Sequence, residues 1–512
     1  MTAFLHDGLD FWAGRAPDKA ALILDGTETL SYRELARWSD GIAARLQEAG
    51  LKSGERVGLL GGNSFVWVAA AFGAFKAGGV IVPLNERFVP AEIGGLAASA
   101  GLATIIYEDS REDQLAAVPA RISRMRFSNL AEARQGAPAG WRRVQLPADA
   151  IAQIIFTSGT TNAPKGVLIS HERLLAKYAE MARMFPPFGT SHMRMLMAVG
   201  LQSGLGTTWG YLFTTSHGGT MAFLRRWDAS RALGIIEREK ITLMPGFPLL
   251  FEQMGHLPGF DAADLASLEM AIVGGARIPD SVLGRWRAKG VLLRSMYGLT
   301  EGGNYVSVAT DAEVLEGRTS CGRQFLHTHV RIVDDRGQDC PAGEAGEIFV
   351  RGPGMMIGYL GNAEATEQSF SDGWLRTGDL GLIDAEGYLH YVDRLKDMII
   401  TGGFNVSPSE IENVIGELEG ELETAVIAIA DDKFGEVPAA VVVSGSGLAP
   451  SLVFSHCRQR LAGFKRPRYI LVTHEALPRK ASGKVDKQAL RSRFSRELHR
   501  FSDPSLVQHP GK

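Results

Sequence analysis

The sequence is poor in cysteine, carries little net charge and has no long uninterrupted apolar run, and each shortage excludes a class of protein. The three cysteines, Cys321, Cys340 and Cys457, are too few and too scattered for a disulfide framework or a cysteine-rich zinc site. A net charge of −3 over 512 residues provides no basic footprint for nucleic acid and no polybasic patch for a membrane. The most apolar window, Val66 to Leu84, is interrupted by Lys76 and glycines, which predicts a core helix and strand rather than a membrane span.

The remaining composition is that of a folded chain with a substantial core. Hydrophobic residues make up 45% of the sequence, so disorder is not the default. The length corresponds to about three domains at roughly 150 residues each. The start, Met1 to Asp10, lacks a basic segment followed by an apolar one, so we expect no signal peptide. Because cysteines are scarce, we expect a reducing, cytoplasmic location.

Strands and helices alternate through most of the chain, and this alternation predicts an α/β fold. Arg56 to Leu60 and Val80 to Pro83 are predicted strands on either side of a predicted helix, Trp67 to Lys76. Such units build mostly parallel sheets with helices on their faces, and ligands bind beyond the carboxyl ends of the strands. From Val330 the pattern changes to short β segments broken by glycine and aspartate, which predicts a small antiparallel barrel or meander.

A third pattern follows and predicts a small α+β domain at the end of the chain. We place the boundary near Leu395 to Asp397, which gives an N-terminal domain of residues 1–395 and a C-terminal domain of residues 396–512. Ser407 or Ser409 would serve as N-cap of the first helix of the second domain.

The stretch from Ile151 to Gly166 has the composition of a phosphate-binding turn. After an apolar strand end it contributes hydroxyls, a glycine and an ammonium group, on Thr157, Ser158, Gly159, Thr160, Thr161 and Lys165. Glycine lets backbone N–H groups approach an anion closely, and the hydroxyls and the lysine complement its charge. The common P-loop has glycine before its lysine and Ser or Thr after it, whereas Pro164 and Gly166 flank this lysine, which indicates a different nucleotide chemistry with the metal held elsewhere. A polar surface turn would have a similar composition.

Two further segments after predicted strands carry candidate ligand-binding groups. The first contributes small residues beside an arginine, namely Gly274, Gly275, Ala276 and Arg277. Small residues allow a flat ligand to lie against the backbone. In the second segment, Tyr297 offers a ring face to a purine, Thr300 a hydroxyl to a phosphate, and Glu301 an oxygen ligand to magnesium. Alternatively, Tyr297 is a core residue and Glu301 a solvated charge.

Charged residues nearer the C-terminus complete the set of candidate ligand-binding residues. Asp379 lies in a glycine-flanked turn, where its carboxylate would bind ribose hydroxyls, and Arg394 would add a donor to the same sugar or to a phosphate. Pro478 to Lys484 forms a basic loop with three cations, a serine and a glycine. Alternatively, Asp379 lies in an ordinary aspartate turn, Arg394 forms a surface ion pair, and the basic loop is a solvated tail.

Six segments, taken in order, resemble the motifs of the adenylate-forming superfamily. They are TSGTTNAPKG, YGLTEGG, GEIFVRGPGMMIGYL, WLRTGDLG, DRLKDMIITGGFNVSPSEIE and PRKASGKVDK, and the likeness extends from about Tyr32 to Leu490. This superfamily contains acyl- and aryl-CoA synthetases, adenylation domains of peptide synthetases and firefly luciferase. The resemblance implies a large N-terminal domain of α/β subdomains with a small β-barrel, and a small mobile α+β C-terminal domain. It also implies that a carboxylate attacks the α-phosphate of Mg-ATP to give acyl-AMP and pyrophosphate, after which a thiol displaces AMP.

The resemblance assigns roles toward ATP to residues of this sequence. Thr157 to Lys165 would contact the β- and γ-phosphates. The other implied contacts are Gly275, Ala276, Arg277, Tyr297 and Gly298 for adenine, Thr300 for the α-phosphate, Glu301 for magnesium, and Asp379 and Arg394 for ribose. Lys484 matches the catalytic lysine that bridges the carboxylate and the α-phosphate. Two anions must meet in this reaction, so a cation at that point lowers their repulsion, and a carboxylate needs no general base at neutral pH.

The resemblance also implies which residues bind the thiol substrate and which residue is the hinge of the small domain. Lys396 matches the hinge about which the small domain rotates between the two steps. Near CoA, a resemblance to 4-chlorobenzoate:CoA ligase-like enzymes implies Gly402 and Gly403 in the thiol tunnel, Phe464 stacked on adenine, Phe434 close by, and Arg466 and Arg468 at phosphate. A basic loop with a core phenylalanine is the alternative. The sequence shows no evident carrier domain, which favours free CoA over a carrier-protein thiol as acceptor.

The acid itself is the least defined part of the prediction. By resemblance the acyl site is lined by small or neutral residues, namely Val199, Ser203, Phe247, Gly274, Gly302 and Asn304. Because no lysine or arginine is among them, a monocarboxylic aryl or medium-chain acid fits better than a dicarboxylate. Many acyl-CoA synthetases carry an aromatic–histidine pair just before the Gly-Leu-Gly that begins here at Gly204, whereas this chain reads Gly200-Leu201-Gln202-Ser203, which leaves the approach of the acid open. Intact Lys484, Thr300 and Glu301 argue against a non-catalytic nucleotide-binding relative.

Overall fold

A computed structural model gives the fold and describes residues 3–157, 164–276, 278–401, 404–420, 422–431, 434–445, 447–480 and 484–501. In chain order the strands are β1 (Ala20–Leu24), β2 (Glu28–Ser31), β3 (Arg56–Leu60), β4 (Val80–Leu84), β5 (Leu102–Tyr107), β6 (Ser123–Arg126), β7 (Ile151–Thr157), β8 (Lys165–Ser170), β9 (Arg194–Met197), β10 (Thr220–Phe223), β11 (Leu243–Gly246), β12 (Met270–Val273), β13 (Leu293–Tyr297), β14 (Ser307–Val308), β15 (Arg323–Gln324), β16 (His329–Val333), β17 (Gly346–Arg351), β18 (Gly358–Tyr359), β19 (Phe370–Ser371), β20 (Trp374–Ile383), β21 (Leu389–Arg394), β22 (Ile399–Thr401), β23 (Phe404–Val406), β24 (Leu422–Asp431), β25 (Gly435–Ser444) and β26 (Tyr469–Thr473). The α-helices are α1 (Leu5–Arg15), α2 (Tyr32–Glu48), α3 (Phe65–Lys76), α4 (Pro90–Ala100), α5 (His171–Met184), α6 (Phe213–Ser216), α7 (Ala229–Arg238), α8 (Pro248–Gly255), α9 (Asp280–Ala288), α10 (Asp311–Leu315), α11 (Ala363–Gln368), α12 (Pro408–Ile415), α13 (Pro450–Arg460) and α14 (Lys487–Phe501).

The largest sheet has nine strands in the order β15-β14-β13-β12-β11-β9-β10-β1-β2. Its middle is parallel from β13 through β12, β11 and β9 to β10 and β1, which confirms the predicted α/β fold. Since parallel strands end at one edge of a sheet, the segments that follow β9, β11, β12 and β13 come together there. That edge carries most of the predicted acyl and adenine residues.

A second sheet has seven strands in the order β18-β8-β7-β4-β3-β5-β6, and its strands β7 and β8 flank the predicted phosphate-binding turn. Strands β3 and β4 are parallel and lie on either side of α3 in sequence, as predicted. Strands β7 and β8 form an antiparallel hairpin in which Thr157 lies opposite Lys165. Consequently the two ends of the hydroxyl-rich turn are fixed as a cross-strand pair.

Helix α3 is hydrophobic on all sides because it is buried between other elements. Every one of its residues except Val66 is buried, and Ser64 caps it by accepting a hydrogen bond from the Trp67 N–H group. The Lys76 side chain, which interrupts the apolar window, is 0% exposed and forms ion pairs of 2.6 Å with Asp10 and with Asp40. The lysine is therefore part of the core. Among the described residues, no helix has the length and apolarity that a bilayer crossing requires.

Two five-stranded sheets form the rest of the β structure. One has the order β16-β17-β20-β19 with β21 beside β20, in the region where the sequence predicts a small barrel or meander. The other has the order β23-β22-β25-β24, and β26 runs parallel to β25. Helices α12 and α13 pack on this last sheet through an apolar cluster that includes Ile411, Val426 and Val453.

The chain forms two compact units. The large unit comprises residues 1–331, 349–377 and 385–390, and the small unit comprises residues 332–348, 378–384 and 391–512. Residues Leu395–Asp397, where we place the boundary between domains 1–395 and 396–512, form a short 3-10 helix. The location of the hinge stays a prediction.

Candidate active site

Within the large unit, the predicted acyl and adenine residues follow neighbouring parallel strands. They are Val199 and Ser203 after β9, Phe247 after β11, Gly274, Gly275 and Ala276 after β12, and Gly298, Thr300, Glu301, Gly302 and Asn304 after β13. Tyr297 ends β13 and is 5% exposed, so the alternative that it is a core residue stays open. The sheet topology therefore brings these residues to one edge.

The loop after β9 is held by a residue that the sequence analysis missed. Asn63 accepts a hydrogen bond from the Leu201 N–H group at 2.8 Å and donates to the Leu224 carbonyl at 2.8 Å. The Ser203 hydroxyl donates to the Gly200 carbonyl at 2.7 Å and accepts from a backbone N–H group at 2.9 Å. Because its hydroxyl is engaged in two hydrogen bonds within the loop, this serine fixes the loop, and its role in the acyl site stays a prediction.

Gln202, in the segment that lacks the aromatic–histidine pair, lies against its own loop. A Cβ atom placed on Gly200 would lie 2.4 Å from Oε1 of Gln202, so the side-chain amide packs directly on the glycine. A larger residue at position 200 would displace the glutamine. This pair therefore sets the conformation of the segment that precedes Ser203.

The loop after β13 requires two unusual backbone features. Gly298 approaches the Asn304 carbonyl so closely that a Cβ atom would lie 1.5 Å from its oxygen, and Asn304 itself has a φ of +69°. Nδ2 of Asn304 is buried and has no hydrogen-bond partner among the described residues. A Cβ atom on Gly204 would lie 3.3 Å from Asn304 Oδ1 and 3.3 Å from Thr300 Oγ1. The predicted phosphate and acyl contacts thus face the same small residue.

Glu301 lies at the centre of a polar cluster at the end of the phosphate-binding turn. Its Oε1 atom accepts hydrogen bonds of 3.2 Å from Thr157 Oγ1 and of 3.2 Å from the Tyr359 hydroxyl. Nζ of Lys165 lies 5.0 Å from the centre of the Tyr359 ring. The predicted magnesium ligand and the predicted phosphate lysine are therefore both next to Tyr359, which the sequence analysis quoted only as part of a motif.

This cluster suits magnesium bound together with a nucleotide. Among the described residues, no group of three or more His, Cys, Asp or Glu side chains is arranged to hold a metal. Mg²⁺ commonly takes one or two carboxylates and completes its shell with water and substrate phosphates. Glu301 supplies a single carboxylate with neighbouring hydroxyls, so the donor set fits that mode and does not fit a site made entirely of protein ligands.

Within the small unit, the two predicted ribose residues pair with each other. Nε of Arg394 lies 2.5 Å from Oδ1 of Asp379, whose side chain is 2% exposed. Gly378 has a φ of +69°, and its N–H group donates to Glu347 Oε1 at 3.1 Å. The backbone before the aspartate is fixed by this contact, which favours a structural turn with an oriented carboxylate.

The segment after Arg394 is anchored by an aspartate without a predicted role. Oδ2 of Asp393 accepts hydrogen bonds from the Ser407 hydroxyl at 2.8 Å and from the Ser409 N–H group at 3.0 Å. Ser407 in turn caps α12, which resolves the choice between the two candidate serines. Lys396 lies in the 3-10 helix just after this anchor.

Phe464, which is predicted to stack on the adenine of CoA, already contacts another aromatic ring in the small unit. Phe464 stacks on Phe404 with ring centres 4.6 Å apart and an interplanar angle of 25°, and the two side chains are 39% and 55% exposed. The Arg468 guanidinium lies 4.2 Å from the centre of the Phe434 ring. Nε of Arg466 donates to a backbone carbonyl at 2.9 Å. Phe404 was missed, although its place directly after two glycines was the available signal.

Lys484 is exposed, and its carbonyl accepts a hydrogen bond of 2.8 Å from the Lys480 N–H group. This hydrogen bond joins the two described ends of the basic loop next to the predicted catalytic lysine. The predicted residues Ser158, Gly159, Thr160, Thr161, Arg277, Gly402 and Gly403 lie outside the described residues.

Comparison with known proteins finds matches that span the chain. A sequence model of the family described as AMP-binding enzyme matches residues 9–360, and a model described as AMP-binding enzyme C-terminal domain matches residues 410–484. A protein named feruloyl-CoA synthase from an Amycolatopsis species is 34% identical over 497 residues, covering 96% of this chain and 99% of that protein. The fatty acid–[acyl-carrier-protein] ligase ScoC of Streptomyces coeruleorubidus is 31% identical over 508 residues, with coverage of 94% and 95%. The crystal structure of ATP-bound MatB from Rhodopseudomonas palustris superimposes with a TM-score of 0.88 at 29% identity, covering 96% of this chain and 99% of that one.

Proposed function

Because the chain belongs to the family of AMP-binding enzymes and is an AMP-forming CoA ligase, we propose that it activates a monocarboxylic aryl acid with Mg-ATP and transfers the acyl group to CoA. In the first step the acid's carboxylate attacks the α-phosphate, and acyl-AMP and pyrophosphate form. In the second step the CoA thiol displaces AMP. The observation that carries this proposal is the cluster in which Glu301 and Lys165 lie beside Tyr359 at the end of the phosphate-binding turn.

The chemistry of the first step is mainly electrostatic. Two anions must approach each other, and negative charge grows on the phosphoryl oxygens in the transition state. Lys165 would hold the β- and γ-phosphates and Thr300 the α-phosphate, while Lys484 would bridge the carboxylate and the α-phosphate. Magnesium, held by Glu301, would neutralise part of the phosphate charge. A general base is unnecessary because the carboxylate is already ionised at neutral pH.

The acid's class follows from the side chains expected to line its site. Val199 and Phe247 are apolar and partly exposed, and Asn304 offers a buried N–H donor without a partner among the described residues. None of the assigned lining residues is basic, so a second carboxylate would lack a counter-charge. The relative named feruloyl-CoA synthase supports an aryl acid. The relative named as a fatty-acid ligase supports an aliphatic acid, so a medium-chain acid is the competing class.

The acceptor follows from the exposed aromatic and basic groups of the small unit. Phe464 would stack on the adenine of CoA, and Arg466 and Arg468 would bind its phosphates, with Phe434 beside them. Gly402 and Gly403 would line the path of the thiol, and Lys396 would be the hinge between the two steps. A carrier-protein thiol is the second candidate acceptor, because one relative is named a ligase for an acyl carrier protein.

Acid-dependent release of pyrophosphate, followed by mass detection of the thioester, tests this proposal. We expect activity with aryl acids, ferulate among them, to exceed that with fatty acids and dicarboxylates, and CoA to be the acceptor. Replacing Arg466 and Arg468 with alanine should raise the KM for CoA, since charge-assisted hydrogen bonds to phosphate are lost. An unchanged KM for CoA, together with acylation of a holo carrier protein, would overturn the CoA assignment. Absence of pyrophosphate release with every acid would overturn the activation step.

A further inference from the structure

Tyr359 is fixed in the fold by contacts on both sides of its backbone. It lies on the short strand β18, opposite Val167 of β8, and β8 follows directly from the phosphate-binding turn. Its N–H group donates at 2.9 Å to Oγ1 of Thr366, which lies within α11. The side chain therefore projects from a position set by sheet pairing and by a second hydrogen bond, and it has little freedom to move independently of the turn.

The same side chain contacts two groups of opposite charge through different parts of its structure. Its hydroxyl donates to Glu301 Oε1 at 3.2 Å, and its ring lies 5.0 Å from the Lys165 ammonium group. The first contact is a hydrogen bond to a carboxylate and the second is a cation–π contact. The two interactions can therefore be tested separately, because phenylalanine at this position would lose the hydrogen bond to Glu301 and keep the cation–π contact with Lys165.

Glu301 is also held from its backbone by the segment that leads to Tyr359. The Met356 N–H group donates to the Glu301 carbonyl at 2.7 Å. Next to it, Gly303 has a φ of +84°, and a Cβ atom there would lie 2.7 Å from the Gly354 carbonyl oxygen. The backbone of the β13 loop and its acidic side chain are consequently clamped by one stretch, Gly354 to Tyr359.

We propose that Tyr359 is a positioning residue that orients the Glu301 carboxylate for magnesium and the Lys165 ammonium for phosphate. Mg²⁺ tolerates little deviation from octahedral geometry, so a carboxylate that ligates it gains from an outer hydrogen bond that fixes its rotation. Thr157 contributes the other hydroxyl to the same oxygen. The tyrosine is expected to touch neither substrate nor metal, and it acts through the two residues that do. This inference rests on the proposed function.

ATP affinity measured by calorimetry, once with Mg²⁺ and once with EDTA, tests the role without relying on turnover. For Tyr359→Phe we expect the gain in affinity that magnesium brings to fall roughly tenfold, the cost of one hydrogen bond to a charged group, with the EDTA affinity unchanged. Tyr359→Leu should also weaken ATP binding in EDTA, because Lys165 loses the ring beside it. Tyr388→Phe is the matched control, since that ring lies between Arg318 and Arg323 in the same unit and should leave both affinities unchanged.

A double-mutant cycle separates this role from a general loss of structure. In a Glu301→Gln background, Tyr359→Phe should have no further effect on the magnesium-dependent gain, because the two residues act on one ligand. An equal loss of affinity in Mg²⁺ and in EDTA for Tyr359→Phe, or an unchanged magnesium-dependent gain, would overturn the inference. A wild-type protein whose ATP affinity does not respond to magnesium would instead overturn the magnesium site of the proposed function.

Discussion

Two buried lysines of the large unit differ in solvent exposure from the predicted substrate-binding cations of the small unit. In the large unit, Lys76 and Lys177 are each 0% exposed, and each lies 2.6 Å from a carboxylate oxygen, of Asp10 and Asp40 for the first and of Glu180 for the second. In the small unit the predicted working cations are accessible to solvent. Lys484 is exposed, and Arg466 and Arg468, which are predicted to bind CoA phosphate, are partly exposed.

This difference separates charges that hold the fold from charges that meet a substrate. A buried lysine has paid the desolvation cost during folding and is balanced by its carboxylate, so it cannot bind a new anion without losing the old one. An exposed lysine or arginine is worth little to stability. The comparison therefore predicts that removing a buried, paired lysine such as Lys177 chiefly lowers stability, and that removing an exposed cation such as Lys484 chiefly lowers activity.

The largest effect is expected for Lys177, whose ammonium group donates to Glu180 Oε2 at 2.6 Å and to Thr328 Oγ1 at 2.7 Å. Lys177→Met would leave the Glu180 carboxylate buried without its cation, which costs about 3–5 kcal/mol of unfolding free energy. Chemical denaturation measures this loss. Arg460→Met in the small unit is the control, since its pair with Glu417 joins side chains that are 42% and 54% exposed and should contribute less than about 1 kcal/mol. Equal losses for the two variants would break the comparison.

For Lys484 the comparison predicts loss of rate with little loss of stability. Lys484→Ala should slow acid-dependent pyrophosphate release by on the order of 10²-fold or more, because a key positive charge is missing where two anions meet. Thioester formation from supplied acyl-AMP should be nearly unchanged, and so should the midpoint of denaturation. An equal loss in both half-reactions would contradict the assignment of this lysine to the first step.

Much of the fold was predictable because its signals are local. The strand Arg56–Leu60 and the serine cap of α12 follow from hydrophobic pattern and capping chemistry, and the structure confirms both. Lys76 marks the limit of local signals, because a lone lysine in an apolar window carries no sign of the two aspartates, distant in sequence, that neutralise it. Its burial depends on tertiary contacts that the pattern does not contain.

The candidate site shows the same limit at the level of side chains. Motifs identified Glu301 and Lys165, but not the tyrosine between them, because Tyr359 reaches both only through the pairing of β18 with β8. Phe404 was likewise missed because its partner Phe464 lies far along the chain. The sequence motifs identify the charged groups, whereas the residues that orient those groups are identified only in the folded structure.

The next prediction concerns acid stability of the large unit. Burial lowers the pKa of His6 to about 3, helped by Arg143 and Lys76, and burial together with His6 lowers the pKa of His171 to about 3. Both rings are neutral in the folded state, so their contribution is complete above pH 6.5 and is lost as the pH falls from 6.5 toward 3, where the unfolded chain binds protons first. At pH 5 the expected loss is about 2 kcal/mol for each histidine.

Denaturation at pH 7.5 and pH 5 checks this dependence, and His6→Leu separates the two rings. The variant should lose about 2 kcal/mol of the pH dependence of the unfolding free energy, and the contribution of His171 should remain because that ring still titrates in the unfolded chain. If the variant and the wild type lose the same stability between the two pH values, His6 is not held neutral by burial. Such a result would contradict the assignment of His6 as a neutral, buried ring of the large unit.

The smallest effect is expected in the small unit, where Phe404 and Phe464 stack at 4.6 Å. That separation leaves no room for a base between the rings, so an adenine that uses the covered face of Phe464 must displace Phe404. Phe404→Ala removes a competing contact of about 0.5–1.5 kcal/mol and should lower the KM for CoA a few-fold. Pantetheine, which lacks adenine, should show no change in KM. A raised KM for CoA would mean that Phe404 itself supports the base, and a change of the same size with pantetheine would mean that the pair acts on the thiol arm instead.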